Sequence, residues 1–443
     1  MSVRSSWVFA VLLSGVLFLF AGCGDSSDVG LGVGPDSLEG GQPRTLNINP
    51  ELDTATMVPQ TGRNLAPSLG GTPTWRFLVG RVNDPLTGGG VVKAEGYMDV
   101  RPPSPLPDRI SSASPDSIAA TLRLKPTYVH GDTSSSVDIE VLELTKDAEM
   151  GQARADTSFP AGSFATDGPV SISPNPDDSL VTIELSDAWV EDRLTDLQQD
   201  SLEAFSGFKL TTGSSEDAVV GFSANSASLR LLHRGDSTTA DYNGSKVFTH
   251  VEQTSPPSPP TTSHRLLQDG VGRGLELNWN FDESPLDTLA TDPLNRAQIF
   301  IPVDTTAMKA ATPPSFVRPL PEGFRIIATR ESAPSTPSCS AVRAAAFSER
   351  ECVVPLVPSA APGAALVSNN VAFPTFDRSF QRTRNGQPPV FEDVRLFIAD
   401  REGTSGNTRS TIQPGLPTTL PILVATDGKD PGPPRATLTV TPL

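Results

Sequence analysis

The chain is 443 residues long and carries 51 acidic against 34 basic residues, a formal net charge of −17. That acidity argues against nucleic acid, or any other polyanion held by charge, as a partner. Length beyond a single typical core, together with 43 prolines and 36 glycines, points to two turn-rich β domains rather than to a helical bundle.

At the amino end, the apolar run from Trp7 to Ala21 follows Arg4. It falls short of the roughly 20 residues that cross a bilayer core and has the length of an export-signal h-region. Phe20-Ala21-Gly22-Cys23 resembles the bacterial lipobox, with Phe20 where leucine is usual. On that resemblance residues 1–22 are a lipoprotein signal peptide, and Cys23 becomes the lipid-bearing first residue of the mature chain. Acyl chains contribute about 0.8 kcal/mol per buried methylene, so several on one residue tether a protein stably. No second apolar segment of comparable length follows. Residues 23–71, rich in Gly, Pro, Ser and Asp, read as a flexible acidic stalk.

Residues 72–254 are expected to form a first β-sandwich. Ile118, Ala120, Leu122 and Leu124 alternate with more polar residues, as do Val137, Ile139 and Val141; this is the period of strands with one wet face. Val181, Ile183 and Leu185, then Leu229 and Leu231, repeat it. Asn83-Asp84-Pro85 followed by three glycines is turn chemistry, explicable without a ligand. Only 187–205 has helical spacing, with Val190, Leu194 and Leu197 on one face. The Pro-rich segment 255–262 reads as a semi-rigid linker, its alternative being an extended loop within one larger domain. A second β-rich domain, 263–443, follows, with alternation at Leu275, Leu277, Trp279 and Phe281, at Ala297 to Val303, and at Val394, Leu396 and Ile398. The expected fold is therefore mainly β, with two antiparallel β-sandwich or jelly-roll-like domains after the signal peptide and stalk.

Cys339 and Cys352 are the remaining cysteines. In an exported chain such a pair predicts a disulfide, worth on the order of 3 kcal/mol in the chain-entropy account; a metal or redox site lacks a neighbouring His or third Cys. His130, His233, His250 and His264 are scattered without metal-ligand spacing. Gly221-Phe222-Ser223-Ala224-Asn225 lacks the second glycine of a nucleophile elbow, and Gly270-Val271-Gly272-Arg273-Gly274 reads as a hairpin turn rather than a phosphate loop. Asp177-Asp178 offers calcium two carboxylates, too few for a site. No catalytic residues, metal or cofactor emerge. Sugar binding by stacking would need exposed aromatics; Trp75 and Trp279 fall in phase with apolar neighbours, which leaves Trp189 and Tyr128 as candidate platforms.

FLVGRVNDPLTG (77–88), DSIAATLRL (116–124), YVHGD (128–132), VDIEVLELT (137–145), FSGFKL (205–210), LLQDG (266–270) and PLNRAQIFIPV (293–303) occur in that order behind Cys23. The series is similar to the Bacteroidetes-type lipoproteins catalogued as domain of unknown function 4270. It departs at Leu86-Thr87-Gly88, where the family often has an aromatic residue, and it fades after about Arg330. The resemblance implies a lipid-anchored protein of the outer membrane, periplasmic or surface-exposed, and brings no activity or catalytic residues. The expected role is a non-catalytic binding or structural module, attached to the membrane by its lipid and meeting a protein or polysaccharide partner in the envelope. Polysaccharide capture is the alternative reading, and an envelope hydrolase is the less favoured one.

Overall fold

Period-two burial organises the strands. In Ile118–Leu124 every second residue is buried and those between are half-exposed, and Val137–Leu144 and Arg435–Val440 show the same alternation. The computed structural model describes residues 42–65, 76–175, 180–199, 205–213, 218–254, 263–281, 283–321, 323–330, 342–343, 349–355, 365–367, 369–387, 391–399, 418–427 and 432–442. The expected signal peptide, Cys23, the start of the expected stalk, Trp75, Asp177-Asp178, the Pro-rich segment and Cys339 lie outside the described residues. The expected Cys339–Cys352 bridge therefore lies outside them too.

The fold is mainly β, with large antiparallel sheets that do not close into a barrel. The largest runs Val181–Glu184, Ile118–Leu124, Ser228–His233, Thr239–Gln253, Val91–Arg101, Arg76–Asn83, Ala218–Ser223, Pro126–Asp132 and Phe316–Val317. Val91–Arg101 is its branch point. One edge of this strand pairs with Thr239–Gln253, while the other takes Arg76–Asn83 near its start and Phe208–Thr212 near its end. From Phe208–Thr212 pairing continues to Val137–Leu144, and from there to Val170–Ile172 and Ala161–Phe164. Two arms of one sheet thus enclose a core that includes Leu122, Ile139, Phe208, Phe222 and Leu229.

The helix Asp187–Leu197 packs on this core. Ser186 caps it, its hydroxyl accepting from the Trp189 amide at 3.1 Å, and Trp189, Val190, Leu194 and Leu197 form the buried face. It stops at Leu197, short of the periodicity that reaches Phe205. There the Leu197 carbonyl accepts the buried Tyr242 hydroxyl at 2.5 Å, and Gln198 Nε2 donates to the carbonyls of Ile110 and Ala113. The last turn is satisfied by tertiary partners instead of by further helix.

A second sandwich packs an eight-stranded sheet against a four-stranded one. The first runs Val342–Arg343, Glu349–Pro355, Gly323–Arg330, Phe391–Ala399, Arg273–Asn278, His264–Gln268 and Pro421–Ala425, with Glu51–Thr56 added beside Arg273–Asn278. The second runs Arg44–Ile48, Arg435–Val440, Leu294–Ile301 and Ala365–Val367. Leu275 and Leu277 from one sheet meet Ala297, Ile299 and Leu438 from the other in a common core.

Three features differ from the sequence expectation. Residues 44–56, assigned above to a flexible stalk, are two strands of the second sandwich, with Ile48 and Ala55 buried and Leu46 and Leu52 packed against its core. Their apolar residues are too few to pattern locally and become legible only beside their partner strands. The domains are also not consecutive in sequence, since the first sandwich is inserted between strands of the second, and Phe316–Val317 extends the sheet of the first. Finally, a second long helix spans Asn369–Arg384, where helical spacing was expected only in 187–205; Phe376 and Phe380, one turn apart, are fully buried on it.

The junction follows from strands buried on both faces. In Arg76–Asn83, Phe77 and Val79 face the first core, while Leu78 and Val82 face a separate cluster containing Tyr128, Val219, Val251 and Leu420. Such near-continuous burial is what a strand sandwiched between two layers requires.

Candidate functional site

The sequence Asn83-Asp84-Pro85-Leu86-Thr87-Gly88 makes a turn at this junction. Asp84 caps the 3-10 turn Pro85–Thr87 through Oδ1, which accepts the Leu86 amide at 2.8 Å, and Gly88 closes it in the left-handed region at φ 60°. The structural reading of this stretch holds as far as it goes. Asp84, however, is only 1% exposed and its carboxylate has distant partners.

His130 Nε2 lies 2.7 Å from Asp84 Oδ2. Arg318 grips the same carboxylate with both arms, Nε to Oδ2 at 2.8 Å and Nη2 to Oδ1 at 2.5 Å. Strand register explains how two residues so far apart in sequence converge. Phe316 pairs with Asp132 and Val317 with Gly131, so the next step in an antiparallel ladder brings Arg318 level with His130. On the far side of the imidazole, His130 Nδ1 is 2.8 Å from Thr419 Oγ1. Thr419 enters from the second sandwich, its amide donating to the Tyr128 hydroxyl at 3.2 Å, while the neighbouring Thr418 donates through its amide and hydroxyl to Asp269 Oδ2. The Arg318 guanidinium also reaches Thr312 Oγ1 and the Met308 carbonyl and lies over the Phe316 ring.

Burial alone would raise the Asp84 carboxyl, but hydrogen bonds and charge from His130 and Arg318 outweigh it and hold the group below the ordinary carboxylate range. Asp84 is therefore held in its ionised form, an acceptor for the ring nitrogen and the guanidinium that face it. Carboxylate, imidazole and hydroxyl stand in line, as in a nucleophile-activating relay. Yet His130 and Thr419 have no exposed surface, and the carboxylate is shared with an arginine. In this arrangement the hydroxyl meets no substrate, and the network instead ties the first sandwich to the second through buried, charge-assisted bonds.

The remaining histidines are not gathered here. His264 meets Asp304 at 3.0 Å, His250 the Ala155 carbonyl at 2.9 Å and His233 Asp236 at 3.0 Å. Among the described residues no group of three or more His, Cys, Asp or Glu side chains could hold a metal ion. Gly270 and Gly272, both with positive φ, form the tight turn between the paired strands His264–Gln268 and Arg273–Asn278; Ser223 ends a strand and has no imidazole beside it, only Ser226.

The two stacking candidates are corrected. Trp189 and Tyr128 are each 4% exposed; the Trp189 indole donates to Glu143 at 3.0 Å, and Arg76 lies over the Tyr128 ring. Their faces pack inside the protein because the helix and the second sandwich cover them, which strand phase could not reveal. Among the described residues every Trp and Tyr is buried.

A second buried carboxylate, Glu95, accepts from Lys93 Nζ and lies 2.8 Å from Lys209 Nζ, with the Tyr97 hydroxyl at 3.2 Å. Burial opposes its ionisation, but the two lysines prevail and bring its pKa down to about 2. A depressed carboxylate stabilises the fold above its unfolded value of about 4.3 and loses that contribution as pH falls toward 2. Glu95→Gln should therefore lower the thermal midpoint at neutral pH and flatten its decline between pH 4.5 and 2, as measured by circular dichroism melts; an unchanged acid limb would contradict this assignment.

No family model matches the chain, and neither does any curated protein. Among solved structures, a protein from Parabacteroides distasonis ATCC 8503 inferred to be secreted aligns over 92% of this chain and 90% of its own, at 8% identity and a TM-score of 0.16. A score that low carries no argument about fold or role. Among the described residues no helix is long and apolar enough to cross a membrane.

Proposed function

We propose that this chain is a lipid-anchored protein of the cell envelope, held to the outer membrane through Cys23, and that its two sandwiches act together as a non-catalytic binding or structural module. The amino-terminal apolar run ending in Ala21-Gly22-Cys23 supports the anchor, as does the serial resemblance to lipoproteins of the family of unknown function 4270. The observation that carries the rest is the sealed junction. The most deeply buried arrangement with the parts of a catalytic relay among the described residues, Asp84, His130 and Thr419, is spent on cohesion between sandwiches, while Asp304, His264 and Ser263 make a second, less buried series. Polysaccharide capture loses its named platforms with the burial of Trp189 and Tyr128, so an envelope protein is the favoured class of partner.

The anchor is tested by expressing Cys23→Ala alongside the wild type and fractionating cells. The wild type should sediment with outer membranes and give a mature amino terminus at Cys23 whose mass includes acyl chains; the variant should be recovered from the soluble fraction. A variant that still sediments, or an unmodified Cys23 in the wild type, would overturn the reading. Retention of the folded protein on a polysaccharide gel would shift the choice toward glycan capture.

A further inference from the structure

The second sandwich contains a group of buried polar atoms that its own packing leaves unused. The helix Asn369–Arg384 lays Phe376, Ser379, Phe380 and Thr383 along one stripe, since residues three, four and seven apart share a helix face. The Phe376 ring meets Trp279 edge-on at 5.3 Å between centroids, and Phe281 contacts both Phe376 and Phe380. On these facing elements three side-chain atoms are shielded from solvent and have no hydrogen-bond partner: Trp279 Nε1, Ser379 Oγ and Thr383 Oγ1. Ser379 has no exposed surface and Trp279 is 7% exposed. Each such orphan costs about 1–3 kcal/mol, and these three of the eight such atoms among the described residues lie on the helix and on the segment packed against it. Trp189, in the core of the first sandwich, shows the ordinary solution, with its indole donating to Glu143.

We propose that the face formed by Trp279, Phe281 and the Ser379–Thr383 stripe is a binding site for a small, neutral, oxygen-bearing molecule with an aromatic or aliphatic body. The chemistry is set by the residues. An indole N–H is a donor only, so the ligand presents an acceptor to Trp279. The two hydroxyls accept or donate and suit a hydroxyl or carbonyl. Phe281, Phe376 and Phe380 supply the apolar walls typical of small-molecule sites. No charged side chain belongs to the stripe itself, which suits a neutral ligand.

The test uses the full chain with phenol as probe and toluene as its control of equal shape without an acceptor. Phenol should raise the thermal midpoint and bind on the order of tenfold more tightly than toluene, the ratio expected for one buried hydrogen bond. Trp279→Phe keeps the ring and removes the donor, and it should abolish the preference for phenol; Ser379→Ala, which is less invasive, should reduce it. Equal responses to the two probes, no response to either, or an undiminished preference in both variants would overturn the proposal, and the first two outcomes would assign the orphan atoms to water.

Discussion

Replacing Arg318 by leucine is expected to destabilise the protein by about 3–5 kcal/mol at neutral pH, the cost of leaving one member of a buried ion pair uncompensated. Arg318 and Asp84 are 4% and 1% exposed at their side chains, so water cannot replace the lost guanidinium. The sign of the pH dependence follows from the carboxyl. In the wild type Asp84 lies below its ordinary value, so its contribution is present above the unfolded value of about 3.9 and is lost as pH falls below it. Without Arg318 the burial effect gains weight and Asp84 binds a proton more readily. The difference between wild type and variant should accordingly be largest near pH 7 and shrink below about pH 4. Asp84→Asn combined with Arg318→Leu should recover part of the loss, because no bare charge remains buried. Urea midpoints at pH 7 and pH 4 measure all three proteins. A single-variant cost below about 1 kcal/mol would mean that the junction is hydrated and that the pair is ornamental to the fold.

A chain beginning at residue 66 should lose the second sandwich while retaining much of the first. The missing strands pair over five positions with Arg435–Val440 and over six with Arg273–Asn278. Burial of Ile48, with the partly buried Leu46 and Leu52, is worth roughly 1.5–3 kcal/mol for each side chain that is fully covered. Their summed loss, on the order of 5 kcal/mol, is comparable to the whole stability of an ordinary domain, and two sheet edges are bared as well. Hydrogen exchange resolves the outcome by region. Protection should collapse in Arg273–Asn278 and Arg435–Val440 and persist in Ile118–Leu124, which pairs within the first sandwich alone. If the truncated chain melts as the full one does, residues 44–64 are a stalk after all.

These two results bear on how the anchor and the body connect. If Cys23 carries lipid, only residues 24–43 lie between the membrane attachment and the strand Arg44–Ile48. The second sandwich is then the part held nearest the tether, and the inserted first sandwich is presented through it. The buried contacts of Asp84, His130, Arg318 and Thr419 join the two.

Local patterns alone determined much of this protein. Alternation at Ile118 to Leu124 and Val137 to Val141 identifies strands because a half-buried strand repeats every two residues, and Val190, Leu194 and Leu197 identify a helix because its buried face repeats every three to four. Asn83-Asp84-Pro85 and the glycines after it announce a turn for equally local reasons, namely fixed and permitted φ values. The tertiary structure decided everything that depends on partners remote in the chain. Asp84 is a turn cap by sequence and an ion-pair partner only because register sets Arg318 beside His130, 234 residues from Asp84 in one case and 46 in the other. Leu46 to Ala55 look like stalk until strands more than 200 residues away supply the sheet to which they add. Trp189 and Tyr128 could have faced water as well as core, since strand phase and helix spacing specify a side of an element but not what covers it. Periodicity is a property of neighbours along the chain, whereas charge pairing, edge completion and burial are properties of neighbours in space.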